Sequence, residues 1–547
     1  MRIANIEATG VDVEPSLRWE DHLRSPIWAQ GVILAGLFAL AILLQFLNGA
    51  FSSEFNSYPD EPAHYVTSLM LRQYLTDPHP FSPLKFAEQY YHHYPKVAFG
   101  HWPPLFYVVQ AAWMLLFSAS RVSVRLEIAF TTAVLAFSLW REARGWFGNR
   151  WALLASVLLV AVPLVQNSTD EEMAEILLVL FCFWSTIYFS RYLESGAQSD
   201  AVWFGIHFSL AVLTKGSGWL LTLLPPIALL LTRKMRYLLR GSFWYSIVPI
   251  AILCLPWQVI TLQSAARGWS GGSQPSLDYT VTALGQFLGL LVSILGPVLS
   301  VLVALGIIVH VVIPLFSREV ASVPAAMCGL ILADWIFHSV VPAGVEDRKL
   351  IIAVPAMIYF LFAGGIWLAD HLPFGPGMMR WNRVMVAAVA AFAFATVTFA
   401  IPRASHFGYQ EAAHFIVSDP SLRNATLLVS SGSIGEGLLI SEIAMREPRP
   451  RDTILRATKQ LAQVDWAGTH YESFYRTPAE LLHYLRGAHL TGLVLDNYRC
   501  EYTFPHQGLL ERTIQENPGE FQLLAAFPGR ANGMPGEVKV YRLLSSN

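Results

Sequence analysis

The chain has 547 residues, of which 54% are hydrophobic and only 14% are charged, and its mean hydropathy is +0.43. This composition excludes an ordinary soluble globular protein, because such proteins carry about 25% charged residues. The apolar composition predicts membrane lipids as partners. The formal net charge of −2 shows no excess of basic residues of the kind that binds phosphate backbones, so nucleic acid is not a predicted partner.

Apolar runs of about 20 residues, the length that crosses a bilayer, recur along the chain after a polar N-terminal segment at residues 1–26. The run 103–118 is short and begins with two prolines, so we interpret it as a helix lying at the membrane interface. About eleven crossings remain, at residues 27–47, 123–140, 151–165, 174–192, 201–213, 217–231, 243–262, 295–316, 320–341, 350–368 and 384–401.

Basic residues between these runs assign the two sides of the membrane. With 103–118 excluded as a span, one side receives Arg141, Arg144, Arg150, the cluster 233–240, Arg318, Arg380 and Arg383. The positive-inside rule makes that side cytoplasmic. We therefore predict a multi-pass protein of the cell (inner) membrane, with residues 1–26 cytoplasmic, a membrane domain at 27–402 and its outer loop 1 at 49–122.

An odd number of crossings places residues 403–547 outside. Strand-like runs at Thr426 to Ser430 and Leu490 to Leu495 alternate there with helical patterns at Glu436 to Met445 and Pro478 to Arg486. The predicted fold is an all-α polytopic membrane domain followed by a small soluble, extracytoplasmic α/β domain. Gly432, Gly435 and Gly437 after the first strand favour a plain turn over a nucleotide-binding loop.

Acidic residues on the outer side are the first candidates for chemistry. In outer loop 1, Asp60 and Glu61 begin a helical pattern in which Asp60 and His64 share a face. A helix N-cap is the alternative role for Asp60. Between the third and fourth spans lie Asp170, Glu171, Glu172 and Glu175. A solvated helix start is the alternative for the first two of these, whereas Glu175 falls inside an apolar helix, where an ionisable group is costly and is a functional candidate.

Cations on the outer side are the second set of candidates. Lys215 lies between two spans, where a lysine reaching toward the interface is the alternative. Arg348 lies in a short outer loop, and its planar guanidinium suits phosphate. Outer loop 1 also contains His92, His93 and His101, which together with carboxylates favour a divalent metal only weakly, since their spacing is not that of a tight site; incidental histidines in an aromatic loop are the alternative.

The order of these motifs resembles a known superfamily. Tyr58-Pro-Asp-Glu-Pro-Ala-His-Tyr65, His101-Trp-Pro-Pro-Leu-Phe-Tyr107, the acidic second loop, Leu213-Thr-Lys-Gly216 and Glu346-Asp-Arg-Lys349 follow one another along residues 27–400. This order is similar to that of the polytopic GT-C glycosyltransferases, in the bacterial branch near protein O-mannosyltransferases and the lipid A aminoarabinose transferase.

The resemblance implies transfer of a hexose or pentose, with inversion, from a polyprenyl-phosphate donor to a lipid, glycan or protein acceptor at the outer face. It implies catalytic roles for Asp60, Glu61 and Glu175, and donor-phosphate binding by Lys215 and Arg348. His64, Asp170 and Glu172 would surround the acceptor. Some relatives carry Glu-Lys where this chain has His101-Trp102, so the resemblance leaves the metal, with His101 as its candidate ligand, open.

Two other classes of function stay open on the sequence alone. A transporter would also carry carboxylates and cations in its spans, but such proteins commonly show repeat symmetry and mid-membrane charges. A non-enzymatic membrane protein with an outer sensor or binding domain is the other alternative.

Overall fold

The computed structural model describes residues 26–55, 58–77, 82–98, 100–268, 275–317, 319–372, 379–398, 407–432, 434–464, 470–498, 504–531 and 533–544. These residues form a helical domain followed by an α/β domain, as the sequence predicts. The helices of the first domain are α1 (Ile27–Leu47), α2 (Glu61–Thr76), α3 (Pro83–His93), α4 (Leu105–Leu116), α5 (Arg121–Phe147), α6 (Asn149–Ala161), α7 (Pro163–Asp170), α8 (Glu175–Ser195), α9 (Gln198–Thr214), α10 (Leu224–Leu231), α11 (Gly241–Trp244), α12 (Ile247–Gly268), α13 (Leu277–Ile307), α14 (Ile313–Ser317), α15 (Ser322–Val340), α16 (Val354–His371) and α17 (Met379–Thr398).

Among the described residues, seven helical segments are long and apolar enough to cross a membrane, or eight if α6 and α7, bent by 57° at Val162, form one span. The protein is therefore a multi-pass membrane protein. Three other predicted crossings coincide with helices that are not among these candidate spans, namely α9, α10 with the 3-10 turn Gly216–Thr222 before it, and α17. Helix α4 has only 12 residues, in keeping with the predicted interfacial helix.

The eighth predicted crossing begins much earlier than expected. Its helical segment runs for 41 residues from Leu277 to Ser317, about 60 Å of helix, which exceeds a hydrocarbon core of about 30 Å. Gly296 bends the segment with a φ of 77°, and Pro297 follows it without a backbone N–H to donate. The sequence pattern located only the half of the segment after this kink.

Close helix packing explains two glycines in the membrane domain. A Cβ at Gly306 on α13 would overlap the carbonyl of Phe360, and a Cβ at Gly364 on α16 would overlap the carbonyl of Leu302. Small residues at such crossings let two backbones approach closely where no hydrophobic drive from water exists. This contact locks α13 against α16, which follows directly from the segment carrying Arg348.

The α/β domain contains α18 (Tyr409–Ser418), β1 (Thr426–Ser430), α19 (Gly435–Arg446), β2 (Thr453–Arg456), α20 (Ala457–Gln460), β3 (Ala462–Gln463), β4 (Glu472–Ser473), α21 (Pro478–Gly487), β5 (Gly492–Asp496), α22 (Pro505–Glu516), β6 (Phe521–Ala531) and β7 (Met534–Leu543). The main sheet has the order β2-β1-β5-β7-β6, in which β1 pairs in parallel with β2 and β5, whereas β7 is antiparallel to β5 and β6. The two predicted strands and two predicted helices are present. The β6–β7 hairpin was not predicted.

Of the three glycines that follow β1, Gly432 precedes α19, whereas Gly435 and Gly437 lie in its first turn. A Cβ at Gly435 would overlap the hydroxyls of Ser431 and Tyr409, and both hydroxyls donate to the carboxylate of Asp496. The side chains of Tyr409 and Ser431 therefore pack closely against the start of α19.

Direct contacts join the α/β domain to outer loop 1. The backbone N–H of Gln410 donates to Oε1 of Glu54 at 2.9 Å, and Nδ1 of His93 lies 3.0 Å from the backbone carbonyl oxygen of Asp452. Arg121, at the start of α5, pairs with Glu442 on α19. The α/β domain is therefore seated on the end of the membrane domain at which α2 begins.

Basic residues lie at the opposite end, which the sequence predicts to be cytoplasmic. Arg191 near the end of α8 pairs with Glu142 at 2.7 Å, and Nζ of Lys234 donates to the carbonyl of Leu193 at 2.7 Å. The two sets of charges therefore occupy opposite ends of the same helices, which is the arrangement on which the predicted orientation depends.

Cysteine labelling in intact cells is expected to report this orientation. Cys182, Cys254 and Cys328 are buried, free thiols, and Cys500 lies outside the described residues. A membrane-impermeant maleimide should label Cys500 from the outer side, and Cys500→Ser should abolish the signal. Labelling that appears only after the membrane is permeabilised would reverse the orientation.

Candidate active site

Asp60 and Glu61 are neighbours in sequence but have different surroundings. Glu61 is fully buried, and its carboxylate accepts hydrogen bonds from the backbone N–H of Tyr58 at 3.3 Å and of Glu172 at 2.8 Å. Glu61 therefore joins outer loop 1 to the second acidic loop and is not placed to meet a substrate. Asp60 is only partly buried.

The carboxylate of Asp60 does not act as a helix cap. Asp60 occupies the N-cap position of α2 with helical backbone angles, and its side chain makes no capping hydrogen bond. The backbone contributes instead, because the carbonyl of Asp60 accepts the N–H of His64 at 2.9 Å. The structure thus gives no support to the capping alternative and leaves the Asp60 carboxylate available for chemistry.

Glu175, Lys215 and Arg348, which we call the donor cluster, come together from three separate helical segments. Nζ of Lys215 donates to Oε1 of Glu175 at 2.6 Å, and Nη1 of Arg348 lies 3.8 Å from the same oxygen. Glu175 is the first residue of α8, Lys215 follows α9, and Arg348 lies in the 3-10 segment Asp347–Ala353. The cations that the sequence assigned to phosphate binding therefore share one counter-ion.

Arg348 has an uncommitted donor in this cluster. Its Nε pairs with Glu346, but its buried Nη1 has no hydrogen-bond partner among the described residues. An unsatisfied buried donor is costly, particularly on a charged group, unless a ligand completes it. The guanidinium carbon lies 4.0 Å above the ring of Tyr58, which orients the planar fork.

His64 lies in electrostatic range of both Asp60 and the donor cluster. Its imidazole is buried, contacts the ring of Trp102 at 4.6 Å, and has Nδ1 3.1 Å from the hydroxyl of Tyr107. Burial lowers the pKa of His64 to about 4, against the opposing effects of Asp60 and Glu175, while Lys215 and Arg348 lower it further. His64 is therefore a neutral side chain within electrostatic range of all four charged residues.

The second acidic loop is buried rather than solvated. Nδ2 of Asn48 donates to Asp170 at 2.7 Å, and Gln110 donates to Glu172, which is fully buried. Burial raises the pKa of Glu171 and of Glu172 well above the ordinary value. Asp170 and Glu171 are half-buried, so they are less solvated than the helix start that the sequence offered as their alternative role.

A pH-dependent stability is expected from Glu172. A carboxyl group whose folded pKa is raised stabilises the fold below its unfolded pKa of about 4.5, and that stability is lost as the pH rises through the folded pKa. Glu172→Gln should therefore unfold at the same temperature as the wild type near pH 4.5 and at a higher temperature near pH 9. Thermal unfolding in detergent at both pH values measures this, and an equal or lower temperature at pH 9 would contradict it.

Four buried ionisable residues near the site were missed by the sequence reasoning. Arg125 donates to the carbonyls of Ser53 and Glu54, each at 2.9 Å, and so fixes the start of outer loop 1. Asp334 accepts the N–H of Ala353 at 3.0 Å, at the end of the segment that carries Arg348. The other two are Glu127 and His338. The signal was present in the sequence, since all four interrupt apolar runs assigned as spans.

His101 is not part of a metal site in the described residues. It lies beside Trp102, with ring centroids 4.8 Å apart, and its surroundings lower its pKa, chiefly by burial. No group of three histidine, cysteine, aspartate or glutamate side chains within the described residues is arranged to hold a metal ion.

Known proteins resemble this chain in part of its sequence and in its fold. Residues 101–260 match the family described as dolichyl-phosphate-mannose-protein mannosyltransferase. The structure of ArnT from Cupriavidus metallidurans in the apo state aligns with a TM-score of 0.58 at 14% identity, over 94% of this chain and 98% of that one. The chain has the GT-C fold. The resemblance seen in the motif order is confirmed at this level.

Other GT-C structures agree. ArnT from the same organism bound to undecaprenyl phosphate aligns with a TM-score of 0.57 at 13% identity, over 94% of this chain and 98% of that one. The archaeal oligosaccharyltransferase AglB from Archaeoglobus fulgidus, in complex with an inhibitory peptide and a dolichol-phosphate, aligns with a TM-score of 0.51 at 12% identity, over 86% of this chain and 69% of that one. No curated protein sequence matches the chain.

Proposed function

We propose that this protein is a membrane glycosyltransferase that moves a sugar from a polyprenyl-phosphate donor to an acceptor hydroxyl at the outer face of the membrane. The observation that supports this most is the donor cluster, which lies with Asp60 in electrostatic range of His64 and in which the buried Nη1 of Arg348 has no hydrogen-bond partner among the described residues. Two cations next to an uncommitted carboxylate match what departure of a lipid phosphate requires.

The chemistry is a single displacement at the anomeric carbon. The acceptor oxygen attacks C1 while its proton passes to the carboxylate of Asp60, and the bond between C1 and the phosphate oxygen breaks. The polyprenyl phosphate leaves with one additional negative charge, which Lys215 and Arg348 stabilise. Attack opposite the leaving group inverts the configuration at C1.

The position of the donor cluster supports a donor whose phosphate is linked to a lipid. Lys215 and Arg348 lie at the ends of apolar helices, where a phosphate can remain at the interface while a prenyl chain stays among the spans. The structures of ArnT and AglB that contain undecaprenyl phosphate and a dolichol-phosphate support a lipid of this class.

Turnover of lipid-linked sugars tests the proposal. Purified protein in nanodiscs, supplied with membranes as a source of acceptor, should release undecaprenyl phosphate from at least one of a panel of undecaprenyl-phosphate-linked hexoses and pentoses. A transporter or a sensor would leave every donor intact. Absence of both turnover and undecaprenyl-phosphate binding would overturn the proposal.

A further inference from the structure

Lys96 lies where outer loop 1 meets the α/β domain. It follows α3 and is half-buried, and its Nζ donates to the carbonyl of Pro59 at 3.0 Å. Pro59 has no N–H of its own, and the next residue is Asp60. The ammonium group of Lys96 is thus attached to the turn that carries the proposed base.

The α/β domain holds Lys96 from the other side. A Cβ at Gly437, in the first turn of α19, would lie 2.8 Å from Cε of Lys96 and 3.1 Å from the ring of Pro62. The methylene chain of Lys96 is therefore packed between α19 and the start of α2. An alanine at position 437 would therefore have to displace the Lys96 side chain.

The end of α19 that faces Lys96 is itself firmly fixed. The buried carboxylate of Glu436 accepts Nε of Arg456 at 2.8 Å, the N–H of Thr458 at 2.8 Å and the Thr458 hydroxyl at 2.6 Å. These bonds join α19 to β2 and α20. A displacement of the α/β domain would therefore be transmitted through Gly437 and Lys96 to Pro59.

Charges from each neighbouring element face the ammonium group. Burial lowers the pKa of Lys96 to about 7, Arg456 on β2 and Lys459 on α20 lower it as well, and Glu436 on α19 and Asp60 before α2 raise it. The charged form is therefore lost as the pH rises through about 7, which gives the hydrogen bond from Lys96 to the Pro59 carbonyl a pH dependence close to neutrality.

We propose that Lys96 is a positioning residue for Asp60. Through Lys96, the position of the α/β domain on the membrane domain determines where the Asp60 carboxylate lies relative to the donor cluster. This inference rests on the proposed function, because it needs Asp60 to be the base. It assigns to the α/β domain a role in catalysis without direct contact between that domain and the donor.

Lys96→Met tests the inference, since methionine retains most of the packed chain and removes the hydrogen bond. Turnover at saturating donor should fall about tenfold, as expected for a small misplacement of a catalytic group, while the donor concentration for half-maximal turnover stays unchanged. The inflection in the wild-type pH profile near 7 should disappear. In the Asp60→Asn background, Lys96→Met should cause no further loss.

Two glycine substitutions complete the experiment and guard against misfolding of the lysine variant. Gly437→Ala pushes on Lys96 from α19 and should lower turnover in the same way, whereas Gly508→Ala on α22 meets nothing within 4 Å and should leave turnover unchanged. Wild-type turnover in both Lys96→Met and Gly437→Ala would overturn the inference, as would independent, multiplicative losses from Lys96→Met and Asp60→Asn. If Asp60→Asn itself turns over normally, the proposed base is wrong and the inference falls with it.

Discussion

Asp60→Asn is expected to lower sugar transfer by about 10² or more while leaving folding and donor binding intact. Asparagine keeps the size and much of the hydrogen-bonding capacity of aspartate but cannot accept the acceptor proton, and general-base catalysis contributes about 10²–10⁴ in rate. Stability should not change, because the Asp60 side chain makes no capping bond and asparagine is as good an N-cap as aspartate. Release of undecaprenyl phosphate and thermal unfolding measure the two quantities.

Asp200→Asn is the matched control for this variant. Asp200 also lies in the first turn of a helix, α9, where it accepts the hydroxyl of Ser195 at 2.7 Å at the end of the membrane domain away from the site. The Asp200→Asn variant should transfer sugar at the wild-type rate. Near-normal transfer by Asp60→Asn would mean that Asp60 is not the base, and Glu61, whose oxygens are both engaged, would be a poor substitute.

Arg348→Lys is expected to weaken undecaprenyl-phosphate binding by about 10- to 100-fold. A hydrogen bond to a charged group contributes about 1.5–3 kcal/mol, and lysine retains the charge but loses both the planar fork and the contact 4.0 Å above the Tyr58 ring. Turnover should fall as well, because the same guanidinium stabilises the departing phosphate. Titration with undecaprenyl phosphate in nanodiscs gives the affinity.

Arg383→Lys supplies the same substitution at the opposite end of the helices. Arg383 binds Asp370 through Nε at 2.8 Å and Nη2 at 2.9 Å, so it also loses a bidentate pair when it is replaced by lysine. It should leave undecaprenyl-phosphate affinity unchanged. Equal affinity losses in the two variants would indicate a general effect on the helical domain, and unchanged affinity in Arg348→Lys would remove Arg348 from the phosphate site.

The membrane domain was largely predictable because hydrophobic length and basic charge act over whole helices. Each predicted crossing coincides with a described helix, and the outer-side residues Glu175, Lys215 and Arg348 meet once those helices are assembled. The long α13 segment was only half found, since a kink at a positive-φ glycine does not change the apolar character of the run around it.

The site was less predictable where side-chain direction decides the role. Asp60 and Glu61 are equivalent as sequence, but the docking of α2 against the second acidic loop buries Glu61 and leaves Asp60 partly exposed. The contact from Gly437 to Lys96 joins residues more than 300 positions apart, and no local pattern encodes it. The β6–β7 hairpin lacked a clear alternation of apolar and polar residues, in line with the mixed burial along β6.

The shared counter-ion of the donor cluster lowers the affinity of the site for a phosphate. Glu175 already pairs with Lys215 and Arg348 before any lipid arrives, so an incoming phosphate must compete with a carboxylate that is permanently tethered. The affinity for a lipid phosphate then depends on the difference between the free energies with which the phosphate and the Glu175 carboxylate bind the same cations. It is lower than the affinity of two cations without a counter-ion would be. In the proposed reaction, a spent carrier lipid would therefore be held less tightly than its charge alone would suggest, and the tethered carboxylate would favour its escape back into the bilayer.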